Sequence, residues 1–430
     1  MPLPIPTSRN AIEDIQRARK RVAVEQARRA RFFAGKLDDI DLDRLDDWEE
    51  WSKIPILEKE DLRALTPTAF MSDFCVAPRS DIAELWRSGG STGVPLFYPR
   101  TYEDMKYALL SFERAFDCAG MGREGIAHVS FPLGIHPVGQ VFARVAQSLG
   151  VGVNWAGSGA STPSAAQVQL IDYLKPNIWL GMCSFAIHLA NLAEAQGIDL
   201  AAGSVEHMMS AAEPLSDAKR EKIERSWGAR MHDGFGMTEA GLMGTESTLH
   251  DGLHIWTDMY YIEVLDPDSG QPVDDGEVGT LIVTPLWTNN ATPFIRWNSG
   301  DLVTYHAEGG VDSEYAVFPM IRHSHRTTGF FKVRGVNIGH PEFEDFMFRI
   351  APVNDFKCEA VFDGSLDQLQ VSIEVRRSAD AASVTREVRE KVKNTFEVTP
   401  EVIVLETGTL AREFEGAVKA PRFVDKRSEQ

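Results

Sequence analysis

Cysteine is scarce. The 430 residues hold four, Cys75, Cys118, Cys183 and Cys358, widely scattered and without a C-x-x-C pair. That argues against a disulfide framework or a zinc knuckle and fits reduced thiols. Long apolar runs are missing as well: no stretch of about 18 apolar residues occurs, so a membrane-spanning helix is not expected. The opening MPLPIPTSRN lacks the apolar core of a leader, and the cytoplasm is the expected compartment. Positive charge is in deficit, with 44 Lys and Arg against 63 Asp and Glu and a net charge of −19. A broad nucleic-acid-binding surface needs clustered basic residues and is not expected. Repeats and low-complexity tracts are absent too.

What is present is ordinary globular material, 43% hydrophobic and 25% charged, in a chain long enough for two or three domains. Residues 10–35 carry a basic helical pattern, and DDIDLDRLDDWEEW (38–51) is acidic. Together they read as two solvated helices with opposite charges facing. From about 80 to 290, short apolar runs alternate with amphipathic ones. IAHVSFPL (126–133), NIWLGMC (177–183) and VEHMMSAAE (205–213) read as buried strands. AAQVQLIDYLK (165–175) and SDAKREKIERSWG (216–228) read as helices, the second capped by Ser216. Such alternation predicts a parallel α/β body. After 255, YYIEVLDPDSGQPVDDGEVGTLIVTPL predicts a β-hairpin region. The last hundred residues hold a strand, LQVSIEVR, and a helix, SVTREVREKVKNTF, which predicts a small separate α/β domain from about 328.

The densest turn signal is 87-RSGGSTGVPLFYPR-100. GGSTG (89–93) fits the pattern of a nucleophile elbow with Ser91 as nucleophile, but that elbow needs a helix to follow, and VPLFYP with Pro95 cannot start one. A Walker loop needs a lysine after its last glycine, where Val94 stands. A plain flexible turn, or a loop between two hairpin strands whose N–H groups and hydroxyls close on phosphate, remains.

In the second form the loop resembles the phosphate-binding signature S-S-G-T-T-G-K-P of the adenylate-forming enzymes, specifically the phenylacetate–coenzyme A ligase-like group. The sequence here is S-G-G-S-T-G-V-P (88–95), with the lysine replaced by Val94. Further segments follow in the family's order. AAEP (211–214) is similar to its G-A-E-P adenine-contacting turn, and DGFGMTE (233–239) to its D-x-Y-G-x-[ST]-E segment. IRWNSGDL (295–302) carries a Gly-Asp like the family's ribose-binding aspartate. RTTGFFKVRG (326–335) resembles its hinge, with the acidic pair replaced by Thr328-Gly329. REFEGAVKAPRFVDKR (412–427) resembles its closing run, and K-A-x-R-F-V-D places the family's lysine at Lys419; anchoring on Glu415-Gly416 would place Ala417 there instead.

The resemblance spans roughly residues 48 to 427 and implies an α/β fold: a large multi-subdomain N-terminal adenylation domain with a β-rich subdomain (1–327), then a small mobile α+β C-terminal domain (328–430). It implies that Ser88, Gly90, Ser91, Thr92, Gly93, Ala212, Glu213, Pro214, Asp233, Phe235, Gly236, Met237, Thr238, Asp301 and Arg326 contact the nucleotide. Phe235 would stack on adenine, Thr238 would touch the α-phosphate, Asp301 would hold the ribose, and Glu239 would hold Mg²⁺. Lys419, Glu239 and Thr238 are the implied catalytic set. The acid would lie among Phe131, Pro132, His136, Trp155, Phe185 and Phe235, a lining that suits an aryl or arylalkyl acid.

The implied function is ATP-dependent ligation of a carboxylic acid to coenzyme A through an acyl-adenylate. The alternatives are transfer to a carrier-protein thiol or an amine, and a nucleotide-binding protein without catalysis. The implied partners are a small carboxylic acid, ATP and coenzyme A, with neither nucleic acid nor membrane; a homodimer is one open option. Some relatives hold a structural zinc on cysteines. Here Ser247 stands in one cysteine's place, leaving His250, His254, His323 and His325 without thiolates, and no zinc is expected.

Overall fold

The basic N-terminal pattern folds as one helix, Arg9–Arg28, whose cap Ser8 accepts the Ala11 N–H. The acidic stretch is not a second helix of comparable length. It forms a short turn, Leu42–Arg44, and a four-residue helix, Trp48–Trp51. Asp41 and Asp47 each accept the backbone N–H two residues on, the local bonding by which aspartate competes with a helix. The opposite charges do meet, Arg21 with Asp43 at 2.7 Å and Arg17 with Asp46. The stretch is not wholly solvated: Glu50 and Trp51 are buried, and the Trp51 indole donates to Glu263.

The computed structural model describes residues 3–87, 97–308, 310, 313–324, 330–362, 366–414 and 421–427. The chain divides into two compact units. One joins Met1–Glu124, Leu133–Gly150 and His232–Ser324; the other joins Gly125–Pro132, Val151–Met231 and His325–Gln430.

The first unit is β-rich. Strands Tyr260–Leu265, Val278–Pro285, Trp297–His306, Met320–His323, Leu253–Ile255, Gly241–Glu246 and Arg230–Met237 neighbour one another in that order, every pair antiparallel. The expected hairpin after residue 255 is the pair Tyr260–Leu265 and Val278–Pro285, in register from Tyr260 opposite Pro285 to Leu265 opposite Thr280. Trp256, Tyr260, Val283 and Ile321 form its core. Helix Tyr102–Cys118 packs on strand Gly241–Glu246 and beside helix Pro137–Ser148, where Phe112 meets Phe142 edge to face at 4.7 Å.

The second unit opens with four parallel strands in the order His207–Ala211, Ile178–Leu180, Ile126–Val129, Gly152–Trp155. The expected strands are present but shorter, each giving way after three to five residues to a loop at its carboxyl end. The expected helices are Ser164–Leu174 and Asp217–Trp227, the latter capped by the Ser216 hydroxyl. The last hundred residues add a hairpin, Phe330–Val333 with Val336–Gly339, and a sheet ordered Glu401–Leu405, Asp367–Val375, Val353–Phe362, Phe423–Asp425. Helices His340–Phe348 and Ala381–Phe396 belong to the same region. One hydrophobic core takes in Trp179, Ile187 and Trp227 together with Phe343, Phe356 and Val388. The α/β class, with a large N-terminal part and a smaller C-terminal one, is as the sequence implied.

Candidate active site

Strands Ile82–Arg87 and Phe97–Thr101 pair antiparallel, with Arg87 opposite Phe97 closing the register. The glycine-rich segment therefore joins two hairpin strands, and a strand follows it, as Pro95 and the β-type run VPLFYP implied. Ser88, Gly90, Ser91, Thr92 and Gly93 themselves lie outside the described residues, as do Arg326 and Lys419.

The outgoing strand carries a residue that sequence reasoning missed. Arg100 is 1% exposed, and its guanidinium donates to the carbonyls of Thr238 at 2.6 Å, Glu239 at 2.7 Å and Thr288 at 2.7 Å. It also lies over the Trp86 ring, 4.7 Å from the centroid. Five donors in a rigid plane suit three carbonyls from two separate segments. The only signal in the sequence is an arginine closing an apolar run, which says nothing of such distant partners.

Arg100 thus fixes the turn that follows D-G-F-G-M. Glu239 in that turn is buried, and burial pushes its carboxyl above the ordinary glutamate value. Its own backbone N–H, the Tyr98 hydroxyl and the charges of Lys59 and Arg100 pull the other way. Asp233 donates its N–H to Glu246 at 2.8 Å and accepts the Thr245 hydroxyl at 2.7 Å through its carbonyl. Phe235 is nearly buried, with the His323 ring edge-on at 5.1 Å. At Gly236 a Cβ would stand 2.3 Å from the Gly241 carbonyl oxygen, so the strand pair tolerates only glycine there. Met237 and Thr238 are half-buried. Asp301 is half-buried on strand Trp297–His306, behind Gly300 at φ +72°, and its N–H donates to the Ser299 hydroxyl at 3.0 Å. His136 precedes the Pro137–Ser148 helix; burial and then the nearby Arg87 charge lower its pKa.

In the second unit the predicted residues lie at or just after the carboxyl ends of the four parallel strands. That is where open α/β sheets place their ligands. Ala212, at φ +71°, turns the chain after strand His207–Ala211. Glu213 then folds back, and its carboxylate accepts the Ser184 N–H at 3.0 Å, the Ser184 hydroxyl at 2.9 Å and the Cys183 thiol at 3.3 Å. It caps helix Cys183–Gln196, which follows the neighbouring strand. Pro214 accepts from Lys219 at 3.5 Å. Phe185 is half-buried in the first turn of that helix and stacks on His188 at 5.3 Å. Phe131 is fully buried, Pro132 is half-buried, and Trp155 is 45% exposed at the end of its strand.

Beneath them lies a buried polar set. Gln167 accepts the Ser130 hydroxyl at 2.9 Å, and the His128 imidazole stands 3.2 Å from the same oxygen and 2.9 Å from Asn154. Burial lowers the His128 pKa to about 4. A neutral imidazole there is a scaffold and not an acid–base group at neutral pH. Among the described residues no helix is long and apolar enough to cross a membrane.

Comparison with known proteins decides the family. Residues 15–286 match the AMP-binding enzyme family, and residues 335–427 match the AMP-binding enzyme C-terminal domain. The chain belongs to the AMP-binding enzymes. Within this family it is similar to the phenylacetate–coenzyme A ligase of Pseudomonas putida, 30% identical over 88% of this chain and 85% of that one. The Escherichia coli K12 enzyme of the same name is 29% identical over 89% and 87%. In fold it is similar to 2-hydroxyisobutyryl-CoA ligase in its postadenylation state, at a TM-score of 0.82 and 23% identity over 99% and 94% of the two chains. This AMP-binding enzyme is of the phenylacetate–coenzyme A ligase-like group, an AMP-forming acid–thiol ligase by class, with ATP and coenzyme A as co-substrates.

Proposed function

We propose that the acid is an aryl or arylalkyl carboxylic acid. The observation that carries this reading is that Phe185, Pro132 and Trp155 sit at or just after the carboxyl ends of three neighbouring parallel strands, in the sheet whose next strand leads into the Ala212–Pro214 turn. Aromatic and apolar side chains at such a position suit a flat apolar acid. The names of the relatives lend support.

The reaction runs in two halves. A carboxylate oxygen attacks the α-phosphorus of ATP and pyrophosphate leaves, giving an acyl-adenylate. The thiol of coenzyme A then adds to the acyl carbon, loses its proton, and AMP departs. A carboxylate alone is a poor acyl donor because oxide would have to leave. The protein's task is to position the reactants and neutralise charge. Asp301 accepts the ribose hydroxyls, Phe235 faces adenine, and Thr238 meets the α-phosphate. The hydroxyls and N–H groups of 88–93 close on the phosphates, and Arg326 and Lys419 supply cationic charge from the C-terminal side. We take 1–327 and 328–430 as the two domains.

Magnesium suits Glu239. Mg²⁺ is commonly held by one or two carboxylates plus substrate phosphates and water, and the Glu239 carboxyl is buried, held by the Tyr98 hydroxyl and its own backbone N–H. Bound there it would neutralise phosphate charge.

A panel of carboxylic acids, read by pyrophosphate release and by thioester formation with and without coenzyme A, tests the proposal. Arylacetates and benzoates should give the highest kcat/KM, with thioester only when coenzyme A is present. A preference for a small aliphatic hydroxy acid would overturn the aryl assignment. Amide formation with an added amine, in place of thioester, would overturn the acceptor.

A further inference from the structure

One group of charges in the second unit is used neither for capping nor at the surface. The Lys219 ammonium, on helix Asp217–Trp227, stands 2.7 Å from the Glu344 carboxylate on helix His340–Phe348. Their side chains are 11% and 17% exposed. The other Glu344 oxygen is 3.5 Å from the Arg422 guanidinium. Arg422 in turn grips Asp355 at 2.8 and 3.2 Å, with those two side chains 3% and 1% exposed. Asp355 finally accepts Asn191 at 3.2 Å. The signs alternate from Lys219 through Glu344 and Arg422 to Asp355. The chain of contacts starts where Lys219 also donates to the Pro214 carbonyl, in the turn that carries Glu213.

Burial alone would strip these groups of charge. Instead, for Lys219, burial is the largest single influence and works against the ammonium, but Glu344, Cys183 and Glu213 together outweigh it and the pKa ends above its ordinary value. Arg422 follows the same pattern: burial opposes the charge, and Asp355, Glu344 and Glu213 together outweigh it. Replacing such a buried chain by apolar residues of similar size is often neutral or stabilising. Its worth therefore lies in selecting one arrangement of its parts. Those parts are the 211–214 turn and strand Phe423–Asp425, which Arg422 immediately precedes. Lys419, the lysine to which the family resemblance points, stands three residues ahead of Arg422 in the sequence.

We propose that Lys219, Glu344, Arg422 and Asp355 form a buried charge chain that registers the C-terminal strand against the nucleotide-contacting turn, which makes Lys219 a positioning residue for adenylation. This rests on the ligase reading above.

The test separates the half-reactions. Lys219→Met should slow acid-dependent exchange of pyrophosphate into ATP at least tenfold in kcat, while the KM for ATP stays within about twofold. Chemically prepared acyl-adenylate plus coenzyme A should still give thioester at the parent rate. Lys219→Arg should restore exchange, and Glu344→Gln should reproduce the defect; the latter also carries the comparison if Lys219→Met does not fold. Equal loss in both half-reactions without rescue by arginine would reduce the group to a structural role, and no loss in either would overturn the proposal. A second readout needs no activity. Hydrogen exchange at Phe423–Asp425 should accelerate in Lys219→Met, and unchanged exchange counts against the chain of charges. If the parent protein adenylates no acid, the ligase reading fails, and the exchange result still judges this one.

Discussion

If Glu239 holds magnesium as proposed, its protonation decides the chemistry. Burial raises its carboxyl pKa, so on acidification it takes up a proton earlier than a free glutamate would. The sign follows directly: the ionised form is the penalised one, so protonation relieves the protein while it removes the anion a metal needs. The kcat/KM for Mg·ATP should accordingly fall on acidification from a pH above the ordinary glutamate range, near 4.3. Glu239→Gln should lose at least about tenfold in activity and lack this acidic limb. Steady-state profiles of the two proteins from pH 5 to 8 check it, and parallel profiles would remove Glu239 from metal binding.

Between elements, Arg100 is the residue that ties the hairpin around 88–96 to the 238–239 turn. Hydrogen bonds to a charged donor contribute about 1.5–3 kcal/mol each, and Arg100 makes three to carbonyls. Arg100→Met should lower thermal stability and, by letting the turn drift, cost about tenfold to a hundredfold in kcat. Thermal denaturation together with adenylation rates would show both, and a stable variant with unchanged kcat would detach the turn from catalysis. Arg100 also marks the limit of what the sequence reveals. The hairpin was legible because Pro95 bars a helix, and the Asp217–Trp227 helix because Ser216 precedes a helical period. Periodicity and turn chemistry are local, and they expose local structure. The acidic stretch misled because its aspartates satisfy neighbouring N–H groups, and charge counting alone cannot foresee that. Arg100 and the chain from Lys219 to Asp355 depend on partners 67 to 188 residues away, which no spacing encodes. The nucleotide motifs were readable as a resemblance, but nothing in A-A-E-P told that Glu213 would cap a helix.

For the molecule as a whole, the second unit carries a buried lysine with a thermodynamic signature. Lys222 is 3% exposed, donates to the Val353 carbonyl at 2.7 Å and lies over the Phe348 ring. Burial lowers its pKa to about 7, helped by Arg376, Arg225 and Arg422 and opposed by Asp355. Between about pH 7 and the unfolded value near 10.4, the unfolded chain binds the extra proton. Stability from this group therefore rises with pH across that window, and the full penalty stands below it. Lys222→Met should unfold at a higher temperature than the parent at pH 6, with the difference shrinking toward pH 10. Melting curves at several pH values check this, and a constant offset would assign the effect to packing alone.

The parallel seating of strand Phe423–Asp425 beside Val353–Phe362 has a consequence for synthesis. A ribosome adding 5–20 residues each second needs roughly 20–90 s to reach that strand. For about the last 3–12 s of it, between Phe362 and Phe423, one edge of the small sheet has no neighbour, and the anionic partners Glu344 and Asp355 wait for Arg422. The nascent protein is therefore most vulnerable to chaperone capture and proteolysis late in its translation, and a brief stall near residue 420 would prolong that exposure more than one near residue 100.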